Sequence, residues 1–368
     1  MVNKIMITID VRFLNSSGIG TYLRNVIPGV VARFPNTTIS LMGDPTVINE
    51  IDGLANAPNV VVIPAFAKMY SIQEQIDYVR LIPKATKLYF ATHYTVPLFY
   101  HGKILVTIYD LFHLAMPELV GGIHKSLYAR LMFNAVRRKA SSIITISNFT
   151  KSELLRLTGP QGKQAITPIH LGVDSSCFNI PYLETPHPRP YLLFVGNIKP
   201  HKNLGALIKA FSLIANQFPH DLVLVGQKEG FITADTELDF IVKELEARVQ
   251  FTGRVDQATL QQYFAHATCL IFPSLYEGFG LPPLEAMAAG CPVICSDAGP
   301  MPEICGDAVL YFDPKNIKQL AEKLEMILSD DALRNDLISR GYLHVKSYTW
   351  DRCIDQTSQE ILSLLNEP

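Results

Sequence analysis

Two glutamates and two glycines lie close together in residues 277–287, whose sequence is EGFGLPPLEAM. This segment follows an apolar strand-like run and opens a helix-forming run. Gly278 and Gly280 allow the backbone to approach a ligand closely, and free N–H groups at a helix start can hold a diphosphate. Glu285 could then accept hydrogen bonds from ribose hydroxyls, and Glu277 lies where a sugar ring would sit. The segment predicts a site for a diphosphate and its sugars. The alternative is a helix start with favourable acidic residues.

The elements that position this segment alternate between apolar strand-like runs and helix-length amphipathic runs, which is typical of parallel sheets covered by helices. In the first half, strands are predicted at 5–10, 38–43, 60–64, 88–92, 103–110, 141–147 and 164–172, and helices at 19–34, 71–83, 123–140 and 148–158. In the second half, strands are predicted at 191–196, 221–226, 249–253, 269–274 and 292–297, and helices at 204–217, 237–247, 257–266 and 282–289.

The two halves are separated by PYLETPHPRP at 181–190, where four prolines in ten residues predict a linker. We therefore predict an N-terminal domain over 1–180, a C-terminal domain over 191–349, and a final helix over 350–368. Open α/β sheets bind ligands at the carboxyl ends of their strands. The expected active site is a central cleft between two doubly wound domains.

Composition narrows the functional class. Hydrophobic residues make up 48% of the chain and charged residues 18%, which provides enough apolar material for buried cores. A net charge of −2 argues against binding of nucleic acid by bulk charge. The N-terminus lacks the pattern of a secretory signal, and no run is apolar enough to span a bilayer, so a cytoplasmic location is expected. The six cysteines lie mostly in apolar runs and are expected to be reduced structural thiols.

The glutamate pair lies within EGFGLPPLEAMAAGCPVICSDAGPMPEICGDA, which resembles the signature of retaining glycosyltransferase family 4, enzymes of the GT-B fold. Four further segments resemble family motifs in the expected order: a glycine loop, two inter-domain segments and a basic donor-binding loop. They are SSGIGTYLRNV (16–26), SNFTKSEL (147–154), HLGVDSSCF (170–178) and LLFVGNIKPHKNL (192–204). YTWDRCIDQ (348–356) resembles the stretch before a final helix that crosses back to the first domain.

The resemblance implies roles for individual residues. Glu285 would bind the donor ribose, Glu277 the hydroxyls of the transferred sugar, and the backbone amides of Phe279–Leu281 the donor oxygens. Gly18 and Gly20 would let their loop close over the diphosphate.

The resemblance also implies that Lys202 would neutralise the departing diphosphate. A fixed cation at that point stabilises developing negative charge without a metal ion. No D-x-D carboxylate pair occurs in the sequence. We therefore expect a metal-independent enzyme with no cofactor apart from its nucleotide-sugar substrate.

Two positions depart from the family pattern. Asn197 follows Gly196 where many members carry arginine, and Arg254 is the candidate for the second positive charge. The alternative for Arg254 is a surface residue that pairs with Asp256 or Glu277.

The second departure follows a first-domain strand. There Tyr109 replaces the usual histidine before Asp110. We count the retained Asp110 with Lys202 and Glu277 as a catalytic candidate. Either Tyr109 or His113 would contact the donor sugar or the acceptor, with a core role as the alternative for His113.

The stretch IHKSLYARLMFNAVRRKA (123–140) mixes basic residues with large apolar ones. It is compatible with a helix resting on an anionic membrane surface. A helix packed on its own sheet with a solvated basic face is the preferred interpretation.

Together these features predict a retaining, metal-independent hexosyltransferase, with mannose from GDP-mannose as the best candidate donor. The sequences of the donor-binding motifs resemble those of mannosyl- and rhamnosyltransferases. The expected acceptor is a glycan or a lipid-linked glycan, and no nucleic-acid partner is expected. The alternatives are a UDP- or dTDP-sugar donor, a sucrose synthase-type enzyme, and a non-catalytic protein that closes on a sugar.

Overall fold

The computed structural model describes residues 6–54, 56–68, 71–120, 122–159, 162, 164–181, 183–226 and 236–367. The chain forms two compact units, one comprising Met1–Gly172 with Thr349–Pro368 and the other Val173–Tyr348. Residue 5 of the predicted first strand, residue 182 of the predicted linker and residue 368 of the predicted last helix lie outside the described ranges.

The first boundary between the two units therefore follows Gly172, whereas the sequence predicted that the N-terminal domain would end at residue 180. Residues after Gly172 bond to the second unit: the Val173 amide donates to the Tyr348 carbonyl at 3.0 Å, and Gln262 donates to the Pro181 carbonyl at 3.0 Å. Within the proline-rich segment, His187 bonds to the buried Asp221 carboxylate at 2.8 Å. These contacts attach the segment to the second unit.

In the described part of the first unit, seven parallel strands form one sheet in the order β3-β2-β1-β4-β5-β6-β7. The strands are β1 (Met6–Asp10), β2 (Thr38–Gly43), β3 (Val60–Pro64), β4 (Thr86–Ala91), β5 (Lys103–Ile108), β6 (Ser142–Thr145) and β7 (Ala165–Pro168). The helices are α1 (Ser17–Arg33), α2 (Pro45–Asn49), α3 (Ile72–Leu81), α4 (Phe112–Ala115), α5 (Ile123–Lys139) and α6 (Asn148–Thr158). The central strands read as apolar runs because helices cover both faces of a parallel sheet.

The second unit repeats this plan with six described parallel strands in the order β10-β9-β8-β11-β12-β13. The strands are β8 (Tyr191–Val195), β9 (Asp221–Val225), β10 (Val249–Gly253), β11 (Cys269–Phe272), β12 (Val293–Ser296) and β13 (Leu310–Phe312). The helices are α7 (Leu204–Ile214), α8 (Thr236–Glu244), α9 (Gln257–His266), α10 (Leu281–Ala288), α11 (Met301–Cys305), α12 (Ile317–Ser329) and α13 (Asp331–Val345). Both sheets confirm the predicted α/β class with doubly wound parallel order.

The strand orders locate the crevice of each sheet. Successive connections reverse direction between β1 and β4 in the first unit and between β8 and β11 in the second. At such a switch point the loops after the two strands diverge and leave a crevice at the carboxyl ends. The loops after these four strands are therefore where each unit can hold a ligand.

The last helix, α14 (Trp350–Asn366), returns to the first unit, as the sequence predicted. Arg33 of α1 bonds to Asp355 at 2.5 Å, and Lys103 donates to the Leu364 carbonyl at 2.9 Å. Gly29 faces Ile354 so closely that an added Cβ atom would lie 2.6 Å from its Cδ1 atom. The missing side chain at Gly29 thus lets the two helices approach.

All six cysteines are buried free thiols, which confirms their predicted structural role. Over the described ranges, the structure contains no helix with both the length and the apolar character needed to cross a bilayer.

Candidate active site

A lysine and a glutamate meet at the switch point of the second sheet. Lys202 ends a short 3₁₀ turn, Pro200–Lys202, in the loop after β8, and Glu277 lies in the loop after β11. Lys202 Nζ donates to Glu277 Oε1 at 2.5 Å, and the two side chains are 17% and 16% exposed. The residue predicted to contact the donor diphosphate and the residue predicted to contact the transferred sugar therefore contact each other.

Backbone contacts fix the two loops against one another. The Leu275 amide, two residues before Glu277, donates at 2.7 Å to the carbonyl of His201, the residue before Lys202. Lys202 Nζ also lies 5.5 Å from the centroid of the Phe272 ring, within range of a cation–π contact. The ammonium group is thus held between a carboxylate and an aromatic face.

Glycines end the strands that lead into this edge of the sheet. Gly226, after β9, has a φ of +152°, and a Cβ atom there would overlap the Gly196 carbonyl after β8. The Gly226 amide donates to the Gly253 carbonyl at 3.0 Å. Only glycine permits this conformation and this approach, so the loops after β8, β9 and β10 leave the sheet side by side.

The donor loop, which we define as residues 278–281, leads directly into α10. Gly280 is the N-cap of the helix with a φ of +112° and no side-chain cap bond. Pro282 and Pro283 follow at the helix start and carry no N–H groups. The backbone N–H groups at this helix start therefore belong to residues 279–281, the residues that the sequence analysis assigned to donor oxygens.

Glu285 lies further along α10, beside the segment that begins the second unit. Burial and then the charge of Asp174 raise the pKa of Glu285 to about 7. Asp174 is fixed in place because its carboxylate accepts from the Ser176 amide at 2.8 Å. The candidate ribose ligand is therefore a carboxyl group that changes protonation near neutral pH.

Arg254 is exposed and forms no ion pair with any residue that the structure describes. Its two alternative partners are otherwise engaged. Asp256 caps α9 by accepting from the Thr259 amide at 2.7 Å, and Glu277 bonds to Lys202. Within the described ranges, the guanidinium group thus has no carboxylate partner, and Arg254 stays a candidate for binding a ligand.

In the first unit, Gly18 and Gly20 lie inside the first turns of α1 rather than in a loop. An added Cβ atom at Gly20 would lie 2.5 Å from the Leu14 carbonyl oxygen, whereas Gly18 faces open space. The close packing of α1 explains Gly20. Gly18 stays a candidate for approach to a ligand.

Residues 109–113 divide between the interior and the carboxyl edge of the first sheet. The Tyr109 hydroxyl is buried without a hydrogen-bond partner in the described residues, and its ring packs edge-on against Tyr22 at 5.5 Å. Burial raises the Tyr109 pKa well above its usual range. Asp110 accepts from the Phe112 amide at 2.9 Å and so fixes the start of α4, which carries His113. His113 is better placed than Tyr109 for a ligand.

His93 is a further candidate site residue, which the sequence analysis did not name. It follows β4 at the switch point of the first sheet, and its ring lies 4.9 Å from Phe13, which follows β1. Burial lowers the His93 pKa to about 3, and the positive charge of Arg12 contributes to the lowering. The imidazole is therefore neutral at physiological pH. The polar run THYT directly after the apolar strand LYFA was the signal that could have identified it.

A metal site was not predicted. Among the residues that the structure describes, no group of three or more histidine, cysteine, aspartate or glutamate side chains could hold a metal ion.

Comparisons with known proteins agree on the class. Residues 179–344 match the family model described as glycosyl transferases group 1. The chain is 31% identical over 271 residues to O-antigen chain mannosyltransferase B of Escherichia coli, covering 69% of each chain. It is 27% identical over 265 residues to O-antigen chain mannosyltransferase RfbU of Salmonella typhimurium, covering 72% of this chain and 70% of that one.

Solved structures show the same fold. Sucrose-phosphate synthase from Thermosynechococcus elongatus superposes with a TM-score of 0.77 at 21% identity, covering 98% of this chain and 99% of that one. Anabaena HepE in complex with UDP and glucose superposes with a TM-score of 0.74 at 18% identity, covering 98% and 100%.

The raised pKa of Glu285 predicts a pH-dependent stability difference. The unfolded chain releases this proton near pH 4.5, whereas the folded chain keeps it until about pH 7. Stability of the wild type therefore falls as pH rises through this window. Glu285→Gln removes the titration and should be more stable than wild type at pH 8, by on the order of 1–3 kcal/mol, with the gain shrinking towards pH 5.

Thermal unfolding of both proteins from pH 5 to pH 8 measures this difference. Glu322→Gln, at an exposed position on α12, is the matched control and should show a constant difference. A pH-independent difference for Glu285→Gln would contradict the assigned burial of this carboxyl.

Proposed function

The chain belongs to the glycosyl transferases group 1 family and is a glycosyltransferase, and from that premise we propose that it transfers mannose from GDP-mannose to a glycan or lipid-linked acceptor with retention of configuration. The choice of mannose is supported by the E. coli and Salmonella relatives, which are O-antigen chain mannosyltransferases. We further propose that the enzyme acts in the cytoplasm and assembles a polysaccharide.

The observation that carries the chemical part of the proposal is the 2.5 Å contact between Lys202 and Glu277 at a sheet switch point. When the bond to the donor sugar breaks, negative charge grows on the diphosphate and positive charge grows at the anomeric carbon. A preorganised ammonium–carboxylate pair offers each centre a charge of the opposite sign. Lys202 then stabilises the leaving group and Glu277 the sugar.

The other candidate residues bind and orient the donor and the acceptor. The amides of the donor loop hold donor oxygens, Glu285 accepts from ribose hydroxyls, and Arg254 supplies the second positive charge at the diphosphate. In the first unit, Asp110 and His113 contact the transferred sugar or the acceptor. Because Lys202 and Arg254 provide cationic charge, we propose that no metal ion is required.

Retention requires that the acceptor attack from the face that the diphosphate leaves. Glu277 is bonded to Lys202 and is assigned to sugar hydroxyls, so we propose no covalent glycosyl-enzyme. A front-face reaction through an oxocarbenium-like ion pair fits this arrangement, and the departing diphosphate can accept the proton of the attacking hydroxyl.

The donor is tested by a thermal-shift screen against GDP-mannose, UDP-glucose, dTDP-rhamnose and the free nucleotides, followed by transfer assays with and without EDTA. A ligand at a hundredfold excess over its Kd adds about 2.7 kcal/mol of stability. GDP-mannose should give the largest shift, and transfer should survive the chelator. A larger shift with a UDP- or dTDP-sugar would mean that this nucleotide sugar, and not GDP-mannose, is the donor. Loss of activity in EDTA that Mg²⁺ restores would contradict metal independence.

The remaining alternatives have their own readouts. Transfer to fructose would indicate a sucrose synthase-type enzyme. Binding without transfer or donor hydrolysis would indicate a sugar-binding protein with no catalytic activity.

Substitution of the two glutamates should change different kinetic parameters. Glu277→Gln should lower kcat more than it changes donor affinity, because its charge matters most when the anomeric carbon is cationic. Glu285→Gln should mainly raise KM for the donor, because the ribose lies away from the breaking bond. Donor-saturation kinetics on both variants, with circular dichroism to confirm folding, measures the split. Equal and purely KM effects would remove Glu277 from the chemical step.

We also propose that α5 makes peripheral contact with an anionic membrane. Ala129, Phe133 and Val136 pack this helix into the core. Its opposite side exposes Leu127 and Leu131, which are 66% and 56% accessible. The exposed basic residues on this helix are Lys125, Arg130 and Arg138. Apolar side chains among cations are the pattern of interfacial helices.

Co-sedimentation with vesicles that contain phosphatidylglycerol tests this contact. The wild type should bind at low salt, and a Leu127→Ser, Leu131→Ser double variant should bind several-fold less. Leu343→Ser, at an equally exposed leucine on α13, is the control and should bind like the wild type. Absence of wild-type binding would leave α5 as a packed helix with a solvated basic face.

A further inference from the structure

The donor loop packs against buried residues that are not among the candidate site residues. Phe279 is 3% exposed, and its ring packs edge-on against Tyr348, with centroids 6.0 Å apart. Tyr348 follows the end of α13 and is itself buried. Phe279, the first of the three residues whose amides are assigned to donor oxygens, is thus held by an aromatic contact with Tyr348, which is distant in sequence.

The next residue, Gly280, is held by a different element. An added Cβ atom there would lie 2.5 Å from Met301 Cε, so the loop backbone lies directly on this side chain. Met301 is fully buried at the start of α11. The Tyr311 hydroxyl is 3.1 Å from the Met301 carbonyl and 2.7 Å from the Gly306 carbonyl, so both ends of α11 are held.

His344 connects these two supports. Its Nε2 atom lies 2.7 Å from the Ile304 carbonyl of α11, and its ring centroid lies 5.5 Å from that of Tyr348. A carbonyl oxygen only accepts, so Nε2 carries the proton and donates. His344 therefore contacts both Tyr348, which packs against Phe279, and α11, whose first residue packs against Gly280.

The supporting residues are themselves anchored within the second unit. The Tyr348 amide donates to the Val345 carbonyl, and its carbonyl accepts from the Val173 amide, both at 3.0 Å. Helix α13 also packs on α10, because Gly341 lies against Met287 so closely that an added Cβ atom would be 3.0 Å from Cγ. The support and the helix that the donor loop opens are therefore parts of one packed body.

We infer that His344 and Tyr348 are positioning residues of the transfer reaction, acting through Phe279 and Ile304 to fix the donor-loop amides. The inference rests on the proposed function, in which those amides bind donor oxygens. Hydrogen-bond donors assist charge separation only when their geometry is set before the reaction. The imidazole and the phenol ring hold residues 279–281 in that geometry without touching the substrate.

Five variants test the inference. Tyr348→Leu and His344→Ala remove the supports, whereas Tyr348→Phe keeps the ring and His344→Gln keeps an N–H donor. The matched control is Tyr342→Leu on α13, where the tyrosine is 39% exposed and packs on Phe178 instead of the donor loop. Each variant is assayed for donor kcat and KM, for thermal unfolding, and for amide hydrogen exchange at residues 278–281.

Tyr348→Leu and His344→Ala should lower kcat/KM for the donor about 10-fold, mostly through kcat, because small misplacements at a reacting centre are costly. Amides 279–281 should exchange faster in these two variants. Tyr348→Phe and His344→Gln should regain most of the rate, and Tyr342→Leu should match the wild type.

Unchanged exchange at 279–281, or a rate loss that only follows the folded fraction, would overturn the inference. If the wild type transferred no sugar at all, the proposed function would fail. The exchange measurement would still decide whether these residues position the loop.

Discussion

The contact between Lys202 and Glu277 is the constraint on which the candidate site of the second unit depends. Both side chains are largely removed from water, and an ion that is buried without a partner costs several kcal/mol. Each charge is therefore tolerated because the other is present. The bond between the Leu275 amide and the His201 carbonyl joins the loops after β11 and β8 and places the two charges within reach. In the proposed function, the donor diphosphate would meet an ammonium group that a carboxylate already orients.

The first unit resolves the same physical problem at its own switch point. Arg12, after β1, donates to the buried Asp10 carboxylate at 2.6 Å and to Glu74 at 3.0 Å. Burial would raise the Asp10 pKa, but Arg12 outweighs it and the pKa is lowered. The Tyr78 hydroxyl, 2.5 Å from the guanidinium group, completes the cluster. This paired charge fixes the loop after β1, which carries Phe13 to the neutral ring of His93.

Local patterns predicted most of the fold. The helix predicted at 148–158 matches α6 in full, and the one predicted at 19–34 differs from α1 by two residues or fewer at each end. The strand predicted at 269–274 ends earlier, at Phe272, because Pro273 cannot donate to the sheet ladder. The domain boundary was displaced because hydrogen bonds, and not proline content, decide which unit holds residues 173–181.

The candidate residues were visible in the sequence, but their pairing was not. Lys202 and Glu277 are 75 positions apart, and only the order of β8 and β11 in the sheet brings them together. The contacts of His93 and Tyr348 could not be predicted for the same reason, since their partners, Phe13 and Phe279, are distant in sequence. The Tyr109 side chain could not be placed from sequence either, because its ring direction depends on packing against Tyr22.

The most direct test of this account is a double-mutant cycle on kcat/KM for the donor with Lys202→Ala, Glu277→Gln and the combined variant. Lys202→Ala should lose about 100-fold or more, the scale for removal of one preorganised charge. If the two groups act as one unit, the combined variant should lose little more than the worse single variant, a coupling of at least about 1.4 kcal/mol. Losses that simply multiply would show that the two residues act independently and would contradict the paired-charge account.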